Sequence, residues 1–138
     1  MALEAHGWEV IPNGKAKRLG KLAVIHGDQL TGLGCYTSIY PSKKAVQVYG
    51  CSVLAGHTHS PQSFAKVSPI EVDQKHTAWM SPAACDLNPG YLRNRPSAWV
   101  NGFVAIECLD GGNFNVYPIV VSGGRCSFGG RVYGHKAA

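Results

Sequence analysis

The sequence predicts an α/β protein of the β-rich, α+β kind, folded as a single domain over residues 1–138. Its 138 residues are the length of one domain, and 45% of them are hydrophobic, which is enough for a buried core. The 17 glycines and 8 prolines favour strands and turns over a helical bundle. Short apolar runs separated by turn residues are typical of β-strands, so we expect few helices.

The first third of the chain has the pattern of a strand, a loop, a helix and a second strand. Residues 22–25 form a short apolar run that predicts a buried strand, and residues 51–56 predict another. Between them, residues 41–49 predict a helix, because Pro41 stands at its start and Gly50 directly after its end.

From residue 64 onward the sequence predicts mostly antiparallel β structure. The expected strands cover residues 64–67, 76–81, 100–108, 114–120 and 125–128. Residues 110–113 have the sequence Asp-Gly-Gly-Asn, which is typical of a tight turn, so a hairpin is expected there. Residues 15–21 contain four basic side chains and are expected to form a solvated surface segment.

The charge and cysteine content limit the classes of function. Thirteen basic residues against eight acidic ones give a net charge of +5, which suits a phosphoester or nucleic acid but is also common among soluble proteins. None of the five cysteines forms a C-x-x-C motif, so buried free thiols in a reducing compartment are expected. With no signal-peptide pattern and no apolar stretch of about 18 residues, we expect a cytoplasmic protein without a membrane partner.

Histidines directly follow both of the early strands. His26 comes after the first strand, and His57 and His59 come after the second. Because the carboxyl ends of neighbouring parallel strands meet at one edge of a sheet, we expect the three imidazoles to lie close together. Imidazole is a common ligand of transition metals, so a metal site is one interpretation. The alternative is that each histidine is an ordinary hydrogen-bonded surface or core residue.

The residues around these histidines resemble two motifs of a known family. Residues 53–61 are similar to the last signature block of calcineurin-like metallophosphoesterases, an apolar strand followed by G-H-x-H. Residues 22–27 resemble the block before it, an apolar strand that ends in His-Gly. Residues 85–96, followed by Trp99 and Gly102-Phe103, resemble the C-terminal segment of the family's phage and prophage branch. The resemblance covers residues 8–133.

The resemblance implies a two-metal phosphoesterase site. By the family pattern, His26 and His57 would ligate one metal and His59 the other, the metals being Mn, Fe, Zn or a mixture. In the family such metals hold a hydroxide that attacks phosphorus and neutralise the charge that develops on the phosphoryl oxygens. Arg93 and Arg95 are candidate substrate-binding residues, since guanidinium matches phosphate; the alternative is that they are surface arginines of a turn-rich loop.

The chain also departs from the family pattern. The family's first three blocks, D-x-H, G-D-x-x-D and G-N-H followed by an acid, do not occur in these residues. The resemblance therefore implies the C-terminal half of the enzyme and about half of its four-layer α-β-β-α sandwich. Two cations beside three neutral imidazoles, without a bridging carboxylate, would repel each other. We expect one bound ion or none, and no hydrolysis unless the N-terminal half is supplied.

Half of a sandwich would leave strand edges unpaired and an apolar face uncovered. The expected partner is therefore the missing N-terminal half or further copies of this chain. Two other functions stay open. One is a non-catalytic remnant that self-assembles or binds a partner as a structural protein. The other is a basic nucleic-acid-binding module that uses residues 15–21 and the two arginines, although its aromatic residues lie in strand-like runs where burial is expected.

Overall fold

A mixed five-stranded β-sheet, with an α-helix against one of its faces, forms the centre of the protein. The computed structural model describes residues 3–7, 9–12, 14–33, 39–71, 73–93 and 96–134. In chain order, its strands and helix are β1 (Lys17–Leu19), β2 (Leu22–Ile25), α1 (Pro41–Tyr49), β3 (Ser52–Ala55), β4 (Gln62–Val67), β5 (Lys75–Met80), β6 (Gly102–Cys108), β7 (Phe114–Val120), β8 (Arg125–Phe128) and β9 (Arg131–Gly134). Short 3-10 turns span Leu3–His6, Asp28–Leu33, Gly90–Leu92 and Asp110–Gly112.

The strand order of the central sheet is β1-β2-β3-β5-β4. Strands β2, β3 and β5 run parallel, while β1 and β4 pair antiparallel at the two edges. The register places Ile25 opposite Ala55 and Ala55 opposite Met80, so the three parallel strands end at the same level. The chain segments that follow them therefore meet at one edge of the sheet.

Helix α1 connects β2 to β3 and closes one face of the sheet. Pro41 lies in its first turn, where a missing N–H costs nothing, and Gly50 ends it in the left-handed region with φ 58. The Gly50 N–H donates to the Val46 carbonyl oxygen at 3.2 Å. The predicted helix at 41–49 is confirmed. The buried cluster between helix and sheet consists of Ala23, Leu30, Ala45, Val46, Val53, Ala55, Ala78 and Met80.

The hairpin of β6 and β7 covers part of the opposite face. The Trp79 ring on β5 contacts the Phe114 ring on β7 at a centroid distance of 5.9 Å. At the other end of the face, a groove of about 380 Å³ stays open between the sheet and β6, with Val24, Leu54 and Phe103 among its lining residues. The β8–β9 hairpin forms a separate two-stranded sheet.

The tip of the β6–β7 hairpin is attached to the turn between β1 and β2. The Lys21 backbone N–H donates to the Gly112 carbonyl oxygen at 2.8 Å, and the Lys21 ammonium donates to Asn113 Oδ1 at 2.8 Å. The predicted turn at residues 110–113 is present, and it joins the two strands that were expected on either side of it.

The predicted α+β class is confirmed, and so are seven predicted strands, three of them (22–25, 114–120 and 125–128) with the same bounds. Two pairings were not predicted. Residues 15–21 are mostly exposed, as expected, but they also contain the edge strand β1, which pairs with β2. The strand predicted at 76–81 pairs parallel with β3 as well as antiparallel with β4. The reason is that apolar periodicity identifies a strand but not its neighbour. Strand β9 was not predicted at all.

Four cysteines of the described residues are free thiols, as expected: Cys51, Cys85, Cys108 and Cys126. The expectation that they are buried is wrong, because Cys51 and Cys126 are half-buried and Cys85 and Cys108 are exposed. Cys35 lies outside the described residues. Of the helices described, none has the length and apolar character needed to cross a membrane.

A substitution at Gly20 tests the contact between the β1–β2 turn and the tip of the β6–β7 hairpin. Gly20 has φ +56, and a Cβ at this position would overlap the Gly112 carbonyl oxygen. We expect Gly20→Ala to lower the free energy of unfolding by about 2 kcal/mol more than Gly123→Ala does. Gly123 has the same φ of +56 but nothing within 4 Å of its Cβ position, so it reports backbone strain alone. Urea unfolding measures both variants, and equal losses would contradict the contact.

Candidate functional site

The loops that follow β2 and β3 touch each other through two glycines. Gly27 has φ +113, and a Cβ at this position would lie 2.8 Å from the Gly56 carbonyl oxygen. A Cβ at Gly56 would lie 3.0 Å from the His26 carbonyl oxygen. Larger residues would push the loops apart, so this close backbone approach requires glycine at Gly27 above all, where the backbone is also left-handed.

This approach brings His26 and His57 together. Their ring centroids are 4.9 Å apart, and the rings stand at 81° to each other. His26 Nδ1 lies 3.3 Å from Asp28 Oδ1, a carboxylate contact that fixes the orientation of the imidazole. The His26 side chain is 63% exposed, so the pair opens to solvent.

His59 lies in the same turn and faces an aromatic ring. Its ring centroid is 4.3 Å from that of Trp99, at an interplanar angle of 70°. Partial burial, followed by electrostatic repulsion from His57 and His26, lowers the pKa of His59 below its usual value. His59 is therefore a neutral imidazole at neutral pH, the form that can donate a lone pair to a metal.

The turn that carries His57 and His59 is strained. His57 has φ 63 and His59 has φ 56, a left-handed conformation that is uncommon for residues other than glycine. Thr58 Oγ1 and His59 Nδ1 are buried and have no hydrogen-bond partner among the described residues. Strained backbone and unsatisfied buried polar atoms are both concentrated at functional sites, so the turn is a candidate for one.

Residues 96–101 form the wall beside this turn. The Val100 N–H donates to the His59 carbonyl oxygen at 2.9 Å, and the Ser60 hydroxyl donates to the Ala98 carbonyl oxygen at 2.7 Å. These two hydrogen bonds hold Trp99 against His59. The strand-like surroundings of Trp99 predict its burial, whereas the structure leaves it half-buried at the site.

The two candidate arginines do not complete the site. Arg93 is exposed, has φ 49 and follows the 3-10 turn at Gly90–Leu92. Within the part of the chain that the structure describes, no hydrogen bond or ion pair joins its guanidinium to the histidines. Arg95 lies outside the described residues.

The donor atoms suit a transition metal, but their arrangement is not that of a formed metal centre. Among residues 3–7, 9–12, 14–33, 39–71, 73–93 and 96–134, no group of three or more His, Cys, Asp or Glu side chains converges closely enough to hold a metal ion. The unpartnered His59 Nδ1 and the oriented His26 imidazole are suitable donors. Coordination by all three histidines would require their side chains to rotate.

Sequence reasoning missed three residues of this site: Asp28, Tyr91 and Trp99. Asp28 could have been identified from the sequence, because an acid two residues after a histidine at a strand end can contact its imidazole. Trp99 contacts His59, and the Tyr91 ring lies 6.3 Å from the Trp99 ring, centroid to centroid. No local signal places these two aromatic residues near the histidine turn, because they are far from it along the chain.

No protein-family model matches the chain, and no curated protein or solved structure is significantly similar to it. The resemblance to calcineurin-like metallophosphoesterases is therefore a prediction from the motif residues at 22–27, 53–61 and 85–96 alone.

The lowered pKa of His59 predicts how stability depends on pH. Because folding lowers this pKa, the unfolded chain binds more protons than the folded chain as the pH falls through about 6.5. The contribution of His59 to stability is therefore present above this pH and lost below it. When the pH is lowered from about 7.5 to about 5.5, we expect the free energy of unfolding of His59→Gln to fall less than that of the wild type. Urea denaturation at each pH measures this.

The control for this measurement is His6→Gln, which replaces an exposed histidine of the N-terminal 3-10 turn. It should keep the pH dependence of the wild type. If His59→Gln also keeps it, burial of His59 does not affect proton binding, and the assignment of a neutral imidazole is wrong.

Proposed function

We propose that the chain is the C-terminal part of a metal-dependent phosphoesterase that hydrolyses phosphodiesters or phosphomonoesters at a two-metal site. The observation that supports this best is the 4.9 Å contact between His26 and His57 at the ends of two parallel strands. His59 follows in the same strained turn. These are the three positions that carry the resemblance to the calcineurin-like family.

In this proposal each residue has a separate role. His26 and His57 would hold one divalent transition metal, and His59 would hold the second. When bound, the metals would supply Lewis-acid activation of water and of the phosphoryl group. Asp28 orients the His26 imidazole, and Trp99 shields His59 from water, which keeps it neutral. Arg93 is a weaker candidate for a substrate phosphate contact.

The acidic ligands would come from polypeptide outside these 138 residues. Asp28 is the one carboxylate that contacts a histidine of the site among the described residues, and it lies against the His26 ring. The open groove of about 380 Å³ begins at Val24, Ile25 and His26. A second half of the family's four-layer sandwich would fill this groove and carry its carboxylates to the histidines. The chain alone would then be inactive.

This proposal is tested by mixing the chain with a polypeptide that carries the family's D-x-H, G-D-x-x-D and G-N-H motifs. We expect Mn²⁺-dependent cleavage of bis(p-nitrophenyl) phosphate by the mixture and none by either part. Because His57 would be a direct ligand, His57→Ala should lower the rate at least about 100-fold.

His76→Ala is the matched control, since His76 is a half-buried histidine on β5, away from the site. It should retain the cleavage rate of the wild type. Cleavage that is unchanged in His57→Ala would exclude the proposed mechanism.

A second candidate function is a self-assembling structural protein without catalysis. It is favoured by the exposed apolar side chains on the β6–β7 and β8–β9 hairpins, namely Phe103, Tyr117, Val120, Phe128, Val132 and Tyr133. Strand edges with apolar neighbours pair readily with other chains. The partner in this case would be a further copy of the protein.

Light scattering of the metal-free protein at micromolar concentration tests this second candidate. If it holds, the species is larger than a monomer, and Val132→Lys restores the monomer because a charge blocks pairing at a strand edge. Val132 is 61% exposed on β9, and Val10→Lys, at a residue 44% exposed outside both hairpins, is the control. A wild-type monomer would rule out self-assembly.

A further inference from the structure

A cavity of about 420 Å³ is formed by residues of the β6–β7 and β8–β9 hairpins, and the proposed phosphoesterase function does not use it. Its lining residues are Ala105, Ile106, Glu107, Tyr117, Phe128 and Gly129. None of them lines the groove that reaches His26, so the cavity is a separate place on the molecule. Its volume is within the range of small-molecule binding sites.

Glu107 is the charged residue of the lining, and two neighbours hold its carboxylate. Oε2 of Glu107 accepts one hydrogen bond from the Tyr117 hydroxyl and one from Asn115 Nδ2, each at 3.0 Å. Asn115 lies directly opposite Glu107 in the register of β6 and β7, and Tyr117 lies opposite Ala105. The pairing of the hairpin therefore fixes the carboxylate at the wall of the cavity.

The charge of this carboxylate is available to a ligand. Hydrogen bonds from Asn115 and Tyr117 lower the pKa of Glu107 below its usual value, so the group is ionised at neutral pH. Within the part of the chain that the structure describes, no ion pair includes Glu107. Both hydrogen bonds go to Oε2, which leaves Oε1 for a ligand, and the residue is exposed to solvent.

Two aromatic rings line the same cavity. The centroids of the Tyr117 and Phe128 rings are 5.6 Å apart, and the interplanar angle is 70°. The hydrogen bond to Glu107 raises the pKa of Tyr117, so its phenol keeps the proton and the ring stays neutral. Both side chains are exposed. Faces of neutral aromatic rings attract cations, and most strongly cations that shed their water easily.

We propose that this cavity binds a quaternary ammonium group, with the Glu107 carboxylate and the Tyr117 and Phe128 rings around the positive charge. We call it the ammonium site. A metal ion needs several oxygen ligands, and a primary ammonium has three N–H donors to satisfy, whereas this lining offers one carboxylate. A quaternary ammonium group has no N–H, and its methyl groups match the rings and the aliphatic side chains of Ala105 and Ile106.

Calorimetric titration of the full chain with choline and with 3,3-dimethylbutan-1-ol tests the proposal. The alcohol has the shape of choline, but a carbon atom replaces the charged nitrogen. We expect choline to bind saturably and at least about tenfold more tightly than the alcohol, because the carboxylate and the rings attract the charge. Equal affinity for the two compounds, or no saturable binding of choline, would overturn the ammonium site.

Two variants separate the contributions of the charge and the rings. Glu107→Gln keeps the shape of the side chain and an oxygen acceptor but removes the charge, so choline should bind about tenfold more weakly and the alcohol as before. Phe128→Leu replaces a ring with an aliphatic side chain and should weaken choline binding about fivefold. Choline affinity that is unchanged in both variants would refute the site.

Glu71→Gln is the matched control for Glu107→Gln. Glu71 is an exposed glutamate between β4 and β5 that does not line the cavity, so this variant has the same change of net charge. It should bind choline as the wild type does. An equal loss of affinity in both variants would show that the overall charge of the protein attracts choline, and the cavity would not be the site.

The ammonium group can belong to a free metabolite or to a trimethylated lysine side chain, and Nα-acetyl-trimethyllysine amide distinguishes the two sources. Tighter binding of choline than of this compound would assign a metabolite, and the reverse order a modified lysine; both results support the site. The outcome is independent of the phosphoesterase proposal, because His57→Ala should bind choline as the wild type does. Loss of choline binding in His57→Ala would place the cation at the histidines and overturn the ammonium site.

Discussion

The backbone contact between Gly27 and Gly56 brings together the two loops that carry the histidines of the candidate site. Parallel pairing brings the ends of β2 and β3 to the same level, but neighbouring strands still leave room between the loops that follow. Here the two loops are in close backbone contact, since a Cβ on Gly27 would lie 2.8 Å from the Gly56 carbonyl oxygen. The His26 and His57 rings contact each other because their backbones do.

The strain in the turn after β3 is held by neighbouring hydrogen bonds. Left-handed conformations at two residues other than glycine cost about 1–3 kcal/mol each. The Thr58 N–H donates to Gly56 at 2.7 Å, and the His59 carbonyl oxygen accepts the Val100 N–H at 2.9 Å. These bonds and the contact with Trp99 stabilise a conformation that the turn would not adopt alone. They also couple the histidines to the loop that carries Tyr91.

The incomplete donor set and the open groove have a common explanation in the proposed function. The histidines need carboxylates to hold two cations, and the sheet needs apolar cover beside Val24 and Leu54. A single complementary polypeptide would provide both at the same place, because the groove reaches His26. The exposed hairpins β6–β7 and β8–β9 are a separate surface, on which the structural alternative depends.

Local sequence determined the helix at Pro41–Tyr49, most of the strands and the placement of the histidines at strand ends. Proline and glycine fix helix ends through their own backbone geometry, and apolar runs mark strands wherever they pair. Only the tertiary structure decided that β5 lies beside β3, that Lys17–Leu19 forms an edge strand, and that Trp99 contacts His59. Such contacts depend on which apolar faces pack together across long stretches of chain, and no local pattern specifies that choice.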